Sequence, residues 1–499
     1  MAKKVAAAKK TAAKVPAAAK AGAKKTVAMI GCGIQMRTVL IPEFTNPVFG
    51  KNVTVVAVCD CDKVRRAAAA ALVNKAYGNK NCRQVADFRD IIKDKKIDAV
   101  CIATPDHWHA YMSVEAMKHG KDVYCEKPMT FSIDEARKVI AAQKKYNRVF
   151  QTGSMQRSWD VFRTAAMIVR NGGIGTLKYV DANYGIGGKK LGGPSHPMRF
   201  FDVPENAATE GKPNKDVDWD MWVGPAKMRP YSDQLAPRGV NKFYPMFWRF
   251  DDDLGSGYNG DWGAHQLDIA QWGMDADKTG PVKIIRSDEP YSTDLFHGGR
   301  RQFGMKMLFK MPYGNVELYH GPFGVITGAG GWGTVFYGTN GIVAVNRGKI
   351  AVWKGTGLVK PNLKIRQEIE KGTFMKSKLV AASIGKDYGT DSTVKADTVL
   401  EDTLKTLKEY FKLETAKVQL YKSPNQIQNF CECMVSRKPT ISPAEVGGRS
   451  GTLCLLCNLS YQYDMGFDWD PAKMTFAKGS GDESILKRPQ YRNGWDVVV

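Results

Sequence analysis

Residues 26–154 alternate between short apolar runs and helical stretches, and this alternation constrains the fold more than any other feature. Runs such as "TVAMI", "VTVVAVC" and "DAVCIAT" predict buried strands, whereas "SIDEARKVIAAQKKYN" predicts a helix that opens with the capping box Ser132 and Glu135. Strands alternating with helices form a parallel, doubly wound sheet, whose ligands bind at the carboxyl ends of the strands. The sequence therefore predicts an α/β fold with a ligand site at "GCG", "CD", "ATPDHWH" and "CEKP".

The loop "GCGIQMR" after the first strand is typical of dinucleotide binding. Gly31 and Gly33 take the first two glycine positions, and Ile34 and Gln35 open the following helix. Glycine lets the backbone approach a pyrophosphate, and the helix start offers unpaired N–H groups to its negative charge. Met36 stands where glycine or alanine is usual, so the loop alone is a weak motif.

A carboxylate at the end of the second strand supports the same interpretation. Asp60 follows "VTVVAVC", which is the position of the acid that accepts hydrogen bonds from the adenosine ribose hydroxyls. Because a carboxylate repels a 2′-phosphate, the sequence favours NAD over NADP. Arg65 and Arg66 lie close enough in sequence to keep NADP open as the alternative.

The strand-end pieces "ATPDHWH" and "CEKP", in this order after a glycine loop, resemble the Gfo/Idh/MocA family of NAD(P)-dependent oxidoreductases, which includes glucose–fructose oxidoreductase and inositol dehydrogenase. The resemblance covers residues 26–499 and implies a Rossmann-type first domain. The family often has asparagine where this chain has Asp106. The resemblance places the following residues along the cofactor: Thr104, Pro105, His109, Glu126 and Lys127.

Lys127 is also a candidate on chemical grounds. It directly follows a buried strand and stands between Glu126 and the rigid Pro128, an unusual place for a lysine that only packs. Burial near a positively charged nicotinamide would lower its pKa and suit it to relay a proton from a substrate hydroxyl. The alternative is a surface salt bridge with Glu126, and the ligand side of the sheet favours the functional role.

The stretch "GYNGDWGAHQLDIAQWG" carries Asp261, His265 and Asp268 at helical spacing. Oxidation of an alcohol needs a base beside the hydroxyl, and histidine suits this task near neutral pH. By the resemblance to the inositol dehydrogenase branch, Lys127, Asp261 and His265 form the catalytic set, with His265 as general base. Asp268 is predicted to support them structurally, and a divalent metal bound by the two carboxylates and the imidazole is the disfavoured alternative.

Aromatic- and glycine-rich loops between residues 187 and 253 are predicted to line a substrate surface, because aromatic faces suit the C–H faces of sugars. The candidates for substrate contact are Arg157, Trp248, Arg249, Tyr258 and Asn259.

Beyond residue 300, strands joined by the tight turns "PYGN", "TNG" and "NRG" predict a mainly antiparallel sheet. The predicted division is a tail at 1–25, an NAD-binding domain at 26–154, and a substrate-binding and oligomerisation α/β domain at 155–499. Its end, about residues 395–499, is predicted to add helices and an extended segment that packs back on the body. In the family one face of the second sheet makes subunit contacts, which implies a homodimer or homotetramer.

The net charge of +23 does not by itself indicate a nucleic-acid-binding protein. Residues 1–25 contain eight lysines, eleven alanines and no acid, so this tail is predicted to be a solvated arm that can touch polyanions weakly. No apolar run approaches the roughly 18–20 residues that span a membrane. The tail has no secretory signal, and the scattered cysteines fit reduced thiols, so a cytoplasmic location is expected.

The pairs "CEC" at Cys431 and Cys433 and "CLLC" at Cys454 and Cys457 raise the possibility of a zinc site. Their apolar, helix-spaced context favours core thiols, and no metal is predicted.

The sequence thus favours an NAD-dependent oxidoreductase acting on a secondary hydroxyl of a sugar or cyclitol. An NAD-dependent glycoside hydrolase, which oxidises the sugar transiently and eliminates the aglycone, is the main alternative. A non-catalytic binder acting through its lysine tail is the third.

Overall fold

A computed structural model describes residues 24–182, 210–240, 247–257, 259–290, 296–297, 300–301, 303–320, 332–384, 398–490, 492 and 494–499. Within residues 24–182 lies a parallel sheet of six strands. Its strands are β1 (Lys25–Ile30), β2 (Val53–Cys59), β3 (Arg83–Val85), β4 (Ala99–Ile102), β5 (Asp122–Cys125) and β6 (Phe150–Thr152). Its helices are α1 (Ile41–Thr45), α2 (Lys63–Tyr77), α3 (Phe88–Lys93), α4 (His109–Lys118) and α5 (Ile133–Tyr146).

The strand order of this sheet, β3-β2-β1-β4-β5-β6, reverses direction between β1 and β4. Loops leaving two neighbouring strands to opposite sides open a crevice at such a point, where ligands of doubly wound sheets bind. The predicted capping box at α5 is present: Ser132 and Glu135 exchange side-chain and backbone hydrogen bonds. The doubly wound fold predicted from the alternating pattern is therefore confirmed.

The second sheet has ten strands among the described residues and is antiparallel except for one pair. The order is β16-β15-β14-β13-β7-β12-β11-β8-β17-β18, and β7 and β12 are the parallel pair. The strands are β7 (Leu177–Ala182), β8 (Lys283–Pro290), β9 (Phe296–His297), β10 (Arg300–Arg301), β11 (Phe303–Met311), β12 (Gly314–His320), β13 (Thr334–Gly338), β14 (Gly341–Asn346), β15 (Lys349–Lys354), β16 (Leu379–Ser383), β17 (Phe467–Asp470) and β18 (Thr475–Phe476), of which β9 and β10 pair separately.

The remaining helices are α6 (Asp160–Arg170), α7 (Trp219–Val223), α8 (Ala264–Met274), α9 (Leu363–Glu370), α10 (Thr398–Tyr410), α11 (Gln426–Ser436) and α12 (Ala444–Tyr463). The long helix α12 packs on both α5 and α8 and so joins the two sheets. Gly447 also lets α12 approach β6 of the first sheet, because a Cβ there would lie 1.9 Å from Thr152 Oγ1. The helix that carries His265 is thereby fixed relative to the first sheet.

The C-terminal segment packs back on the body, as predicted. Strand β17 pairs with β8 of the second sheet. The Trp495 ring meets Trp108 edge-on, at 4.8 Å between ring centroids. No helix in the described part of the chain is long and apolar enough to cross a membrane.

All ten cysteines are free thiols. Cys431 and Cys433 lie on α11 in the apolar core beside Phe44 and Tyr124, whereas Cys454 and Cys457 belong to the other large core. The interpretation of these four as core thiols is confirmed. Among the described residues, no three His, Cys, Asp or Glu side chains are grouped to hold a metal.

Candidate active site

A cleft of about 450 Å³ runs along the carboxyl ends of β1, β2, β4 and β5 and ends against the start of α8. All ten residues predicted to bind the cofactor line it: Gly31, Gly33, Ile34, Gln35, Asp60, Thr104, Pro105, His109, Glu126 and Lys127. The three predicted catalytic residues, Lys127, Asp261 and His265, line the same cleft. Strand ends and the α8 segment therefore converge on one site.

The glycine loop has room for a pyrophosphate. Gly31 has a φ of +85°, and a Cβ there would lie 2.7 Å from the carbonyl of Ala103, so only glycine fits between β1 and β4. At Gly33 nothing lies within 4 Å of the position a Cβ would take. This open backbone at the switch point of the sheet fits a dinucleotide.

Asp60 is held rigidly at the end of β2. Its Oδ2 accepts a hydrogen bond from Cys32 N at 2.6 Å, and its Oδ1 accepts one from Asp62 N at 2.8 Å. Arg65 pairs with Asp62 at 3.4 Å and donates to the carbonyls of Pro237 and Gly239, while Arg66 donates to the Asp60 carbonyl. Both arginines are engaged in these contacts and the carboxylate faces the cleft, which fits NAD.

Residues 210–240, part of the loops predicted to line a substrate surface, cover the end of the cleft next to Asp60. Asp218 N donates to Cys61 O at 3.1 Å, and Lys63 N donates to Asp216 O at 2.8 Å. Leu235 contributes to the cleft wall. These backbone bonds join the segment to the loop after β2, where sequence patterns carry no signal of pairing.

His109 links the two loops that carry the family-like motifs. Its Nδ1 lies 2.7 Å from Pro128 O, and its Nε2 lies 2.9 Å from Thr104 O. Both partners are acceptors, so both ring nitrogens donate and the imidazole is cationic. Burial lowers the pKa of His109, but Cys125, Asp106 and the Pro128 carbonyl outweigh it and raise the pKa to about 10.

Lys127 and Asp261 form an ion pair at the inner end of the cleft. Lys127 Nζ lies 2.5 Å from Asp261 Oδ1 and 3.0 Å from Asp261 O. Burial alone would raise the pKa of Asp261, but Lys127 and Arg249 hold it well below its usual range. Asp261 stands on a short π-helical turn, Asn259–Gly263, which leads directly into α8. The carboxylate thus stays ionised and fixes the position of the ammonium group.

His265 lies one turn further along and is only 5% exposed. Its Nδ1 has no hydrogen-bond partner among the described residues, and its ring packs edge-on to Trp262 at 6.0 Å. Burial, Arg347 and Lys127 together place the pKa of His265 well below its usual value, against the opposing effect of Asp261. The imidazole is therefore neutral and able to accept a proton.

Two models of one protein family match this chain. Residues 25–154 match the model of the oxidoreductase family with an NAD-binding Rossmann fold (GFO_IDH_MocA), and residues 196–303 match the family's C-terminal alpha/beta domain. These two segments of the chain therefore carry the two domains of the Gfo/Idh/MocA oxidoreductase family. The first is an NAD-binding domain, in keeping with the glycine loop and Asp60.

Individual relatives in the Gfo/Idh/MocA family are similar over part of their length. Inositol 2-dehydrogenase 1 of Mycolicibacterium vanbaalenii is 30% identical over 150 residues, which are 30% of this chain and 41% of that protein. The chain spans about half or less of the length of the curated relatives it matches.

Two solved structures share the fold over nearly their whole length. Levoglucosan dehydrogenase in complex with NADH and levoglucosan has a TM-score of 0.50 at 15% identity, with 89% of this chain and 99% of that one covered. Aldose-aldose oxidoreductase from Caulobacter crescentus, complexed with glycerol, has a TM-score of 0.51 at 16% identity and the same coverage.

Two residues predicted to contact substrate in this Gfo/Idh/MocA chain lie behind the cleft instead. Arg157 is 1% exposed; it pairs with Asp268 at 2.7 Å and with Asp277 at 2.7 Å. Asn259 donates to Asn458 on α12 at 2.7 Å and is also buried. Neither residue is among those that line the cleft. Spacing gave no sign of these contacts, because the partners lie far away in sequence.

Of the other three residues predicted to contact substrate, two line the cleft. Trp248 and Arg249 line the cleft, with the Arg249 guanidinium 4.3 Å from the centroid of the Trp248 ring. Tyr258 lies outside the described residues. Arg347, from the turn between β14 and β15, lines the cleft and was not predicted, since arginines in tight turns usually face solvent.

Proposed function

We propose that the protein is an NAD-dependent oxidoreductase that oxidises a secondary hydroxyl of a sugar or cyclitol, or carries out the reverse reduction. The observation that carries this proposal is the position of the Lys127–Asp261 ion pair and neutral His265 in the same cleft as the glycine loop. A fixed ammonium and a free base beside a nicotinamide site are the groups that alcohol oxidation needs.

The glycine loop, Asp60 and the loops after β4 and β5 would hold NAD⁺, which would supply the acceptor for the hydride of the substrate C–H bond. The alcohol then loses the hydroxyl proton as well and becomes a carbonyl compound, so one NADH and one proton form per turnover. His265 accepts that proton, because its lowered pKa keeps it neutral beforehand. Lys127, held by Asp261, donates a hydrogen bond to the reacting oxygen and stabilises its developing negative charge.

A sugar or cyclitol fits the walls of the cleft. Trp248 and Trp262 both line it, and aromatic faces pack against sugar C–H groups. Proteins similar to this chain in sequence or fold are named inositol 2-dehydrogenase, levoglucosan dehydrogenase and aldose-aldose oxidoreductase, and the compounds in these names carry several secondary hydroxyls.

The test is NADH formation by the purified protein with a panel of cyclitols, aldoses and anhydrosugars. We expect His265→Ala and Lys127→Met to lower kcat by about 10²–10⁴-fold while NAD affinity and melting temperature stay close to wild type. His119→Ala on the exposed end of α4 is the matched control and should keep full activity. A kcat near the wild-type value in either cleft variant would refute the assigned roles.

The same panel should contain aryl glycosides. Release of the aglycone without net NADH would replace the dehydrogenase by the NAD-dependent glycoside hydrolase, since that reaction returns the hydride to the product. Both reactions would start at the same cleft, so the variants above would inactivate either one.

Two predictions on partners accompany the proposal. A homodimer or homotetramer is expected, and light scattering of the purified chain tests it. Weak polyanion contact by the N-terminal tail is tested by deleting residues 1–23, because β1 already begins at Lys25. Loss of heparin binding with unchanged NAD affinity would assign that contact to the tail alone.

A further inference from the structure

Arg347 is a buried cation at the catalytic end of the cleft. It belongs to the turn between β14 and β15, yet it is 1% exposed. Its Nε donates to Gln156 Oε1 at 3.0 Å, and Gln156 Nε2 donates to the His265 carbonyl at 3.3 Å. Its guanidinium lies 4.8 Å from the centroid of the Trp262 ring. These contacts fix Arg347 to the segment that carries the catalytic pair.

Arg249 is a second cation beside that pair. Its Nε lies 3.3 Å from Asp261 Oδ2, and its guanidinium stacks over the Trp248 ring at 4.3 Å. Each arginine therefore packs on a tryptophan of the cleft wall. A guanidinium stacked on an aromatic ring keeps its N–H donors at its edge, in the plane that matches a carboxylate.

The catalytic base makes an anionic ligand favourable at this place. When His265 accepts a proton it becomes a third positive charge beside those of Arg347 and Lys127, and Asp261 is the anion that acts on it in the opposite sense. An anionic group on the substrate adds a compensating charge. It would act when the imidazolium forms, so its effect appears in turnover as well as in binding.

We propose that the substrate is an acidic sugar whose carboxylate binds to Arg249 and Arg347 while a neighbouring secondary hydroxyl meets Lys127 and His265. This inference rests on the proposed function and names the substrate class of the same site. The carboxylate stays unchanged, and the hydroxyl carbon is the one oxidised.

The first experiment compares D-glucuronate and D-galacturonate with D-glucose and D-galactose in NADH formation. We expect kcat/KM to be about 10–100-fold higher for the acidic sugars, in keeping with charge-assisted hydrogen bonds. Equal kcat/KM for acidic and neutral sugars would overturn the inference and leave the proposed function standing. Preference for sugar phosphates over the uronates would also overturn it.

Binding is measured separately, because Trp248 and Trp262 report on ligands by fluorescence. If no compound in the panel reduces NAD⁺, the proposed function fails. The fluorescence titration still tests the inference in that case. Tighter binding of D-glucuronate than of D-glucose to the NAD-loaded protein supports it, and equal affinities contradict it.

The variants are Arg347→Gln and Arg249→Gln, with Arg83→Gln on the exposed edge of the first sheet as the control. In both cleft variants the ratio of kcat/KM for D-glucuronate over D-glucose should fall towards 1. The control variant Arg83→Gln should keep the wild-type ratio. Arg249→Gln carries the test if the buried Arg347→Gln variant does not fold. An unchanged preference in a folded cleft variant contradicts the proposal.

A pH profile separates an electrostatic role from a structural one. Arg347 lowers the pKa of His265, so removing its charge raises that pKa. A base works only when deprotonated, and the acidic limb of kcat/KM should therefore move to higher pH in Arg347→Gln. Arg347→Lys keeps the charge and should keep the acidic limb of kcat/KM near its wild-type position. An acidic limb that moves in Arg347→Lys but not in Arg347→Gln would contradict the assignment.

Discussion

The two ends of the Asp261–Asp268 segment contain the same chemical pair in different surroundings. Asp261 meets Lys127 at 2.5 Å on the wall of the cleft, with its side chain 17% exposed. Asp268 meets Arg157 at 2.7 Å, also accepts a hydrogen bond from Ser450 Oγ at 2.5 Å, and is 1% exposed. A carboxylate enclosed on every side supports structure, whereas one that faces a cleft remains available to substrate. Both carboxylates have a basic partner, so their roles differ because of where each lies relative to the cleft.

The largest effect is expected from Asp268→Ala. Its removal leaves Arg157 buried with only Asp277 as an anionic partner among the described residues, so the free energy of unfolding should fall by about 3–5 kcal/mol. Chemical denaturation with and without NAD measures this loss. Folded variant protein should keep kcat within a few-fold of wild type. A stable variant with strongly reduced kcat would mean that Asp268 acts in catalysis.

Asp261→Asn should lower activity strongly and stability only slightly. The amide keeps the shape but not the charge that fixes the Lys127 ammonium, so kcat should fall by about 10²-fold, or about 2.7 kcal/mol in the barrier. The melting temperature should change less than in Asp268→Ala, since the side chain borders the cleft. A variant that unfolds before it loses activity would remove the distinction between the two carboxylates.

Sequence patterns predicted the strand-end side of the cleft better than the contacts of Asp268 and Arg347. Strand ends of a parallel sheet meet at one edge, so the residues of "GCG", "ATPDHWH" and "CEKP" had to converge, and they do. The buried pairing of Arg157 with Asp268 joins positions 111 residues apart, and Arg347 reaches the cleft from a hairpin turn. Such contacts depend on how α8 and the second sheet pack together, which periodicity and spacing do not encode.

Asp60 is a third carboxylate at the cleft, and it is held by backbone N–H groups of Cys32 and Asp62 instead of a basic side chain. Asp60→Ser removes the repulsion towards a 2′-phosphate. We expect the ratio of kcat/KM for NAD⁺ over NADP⁺ to fall by about tenfold, which is about 1.4 kcal/mol. An unchanged ratio would mean that the cofactor is selected elsewhere in the cleft.

The smallest effect concerns the pH dependence of the free enzyme. The pKa of His265 lies well below 6.5, so kcat/KM should not fall through protonation of His265 as pH decreases to 6.5. Asp261 raises that pKa, and its charge persists because its own pKa is far lower. The residual activity of Asp261→Asn should therefore show an acidic limb at lower pH than wild type. Asp268 is not among the groups that shift the pKa of His265, so Asp268→Asn should leave the limb in place; equal shifts in both variants would show that the two carboxylates act on the base alike.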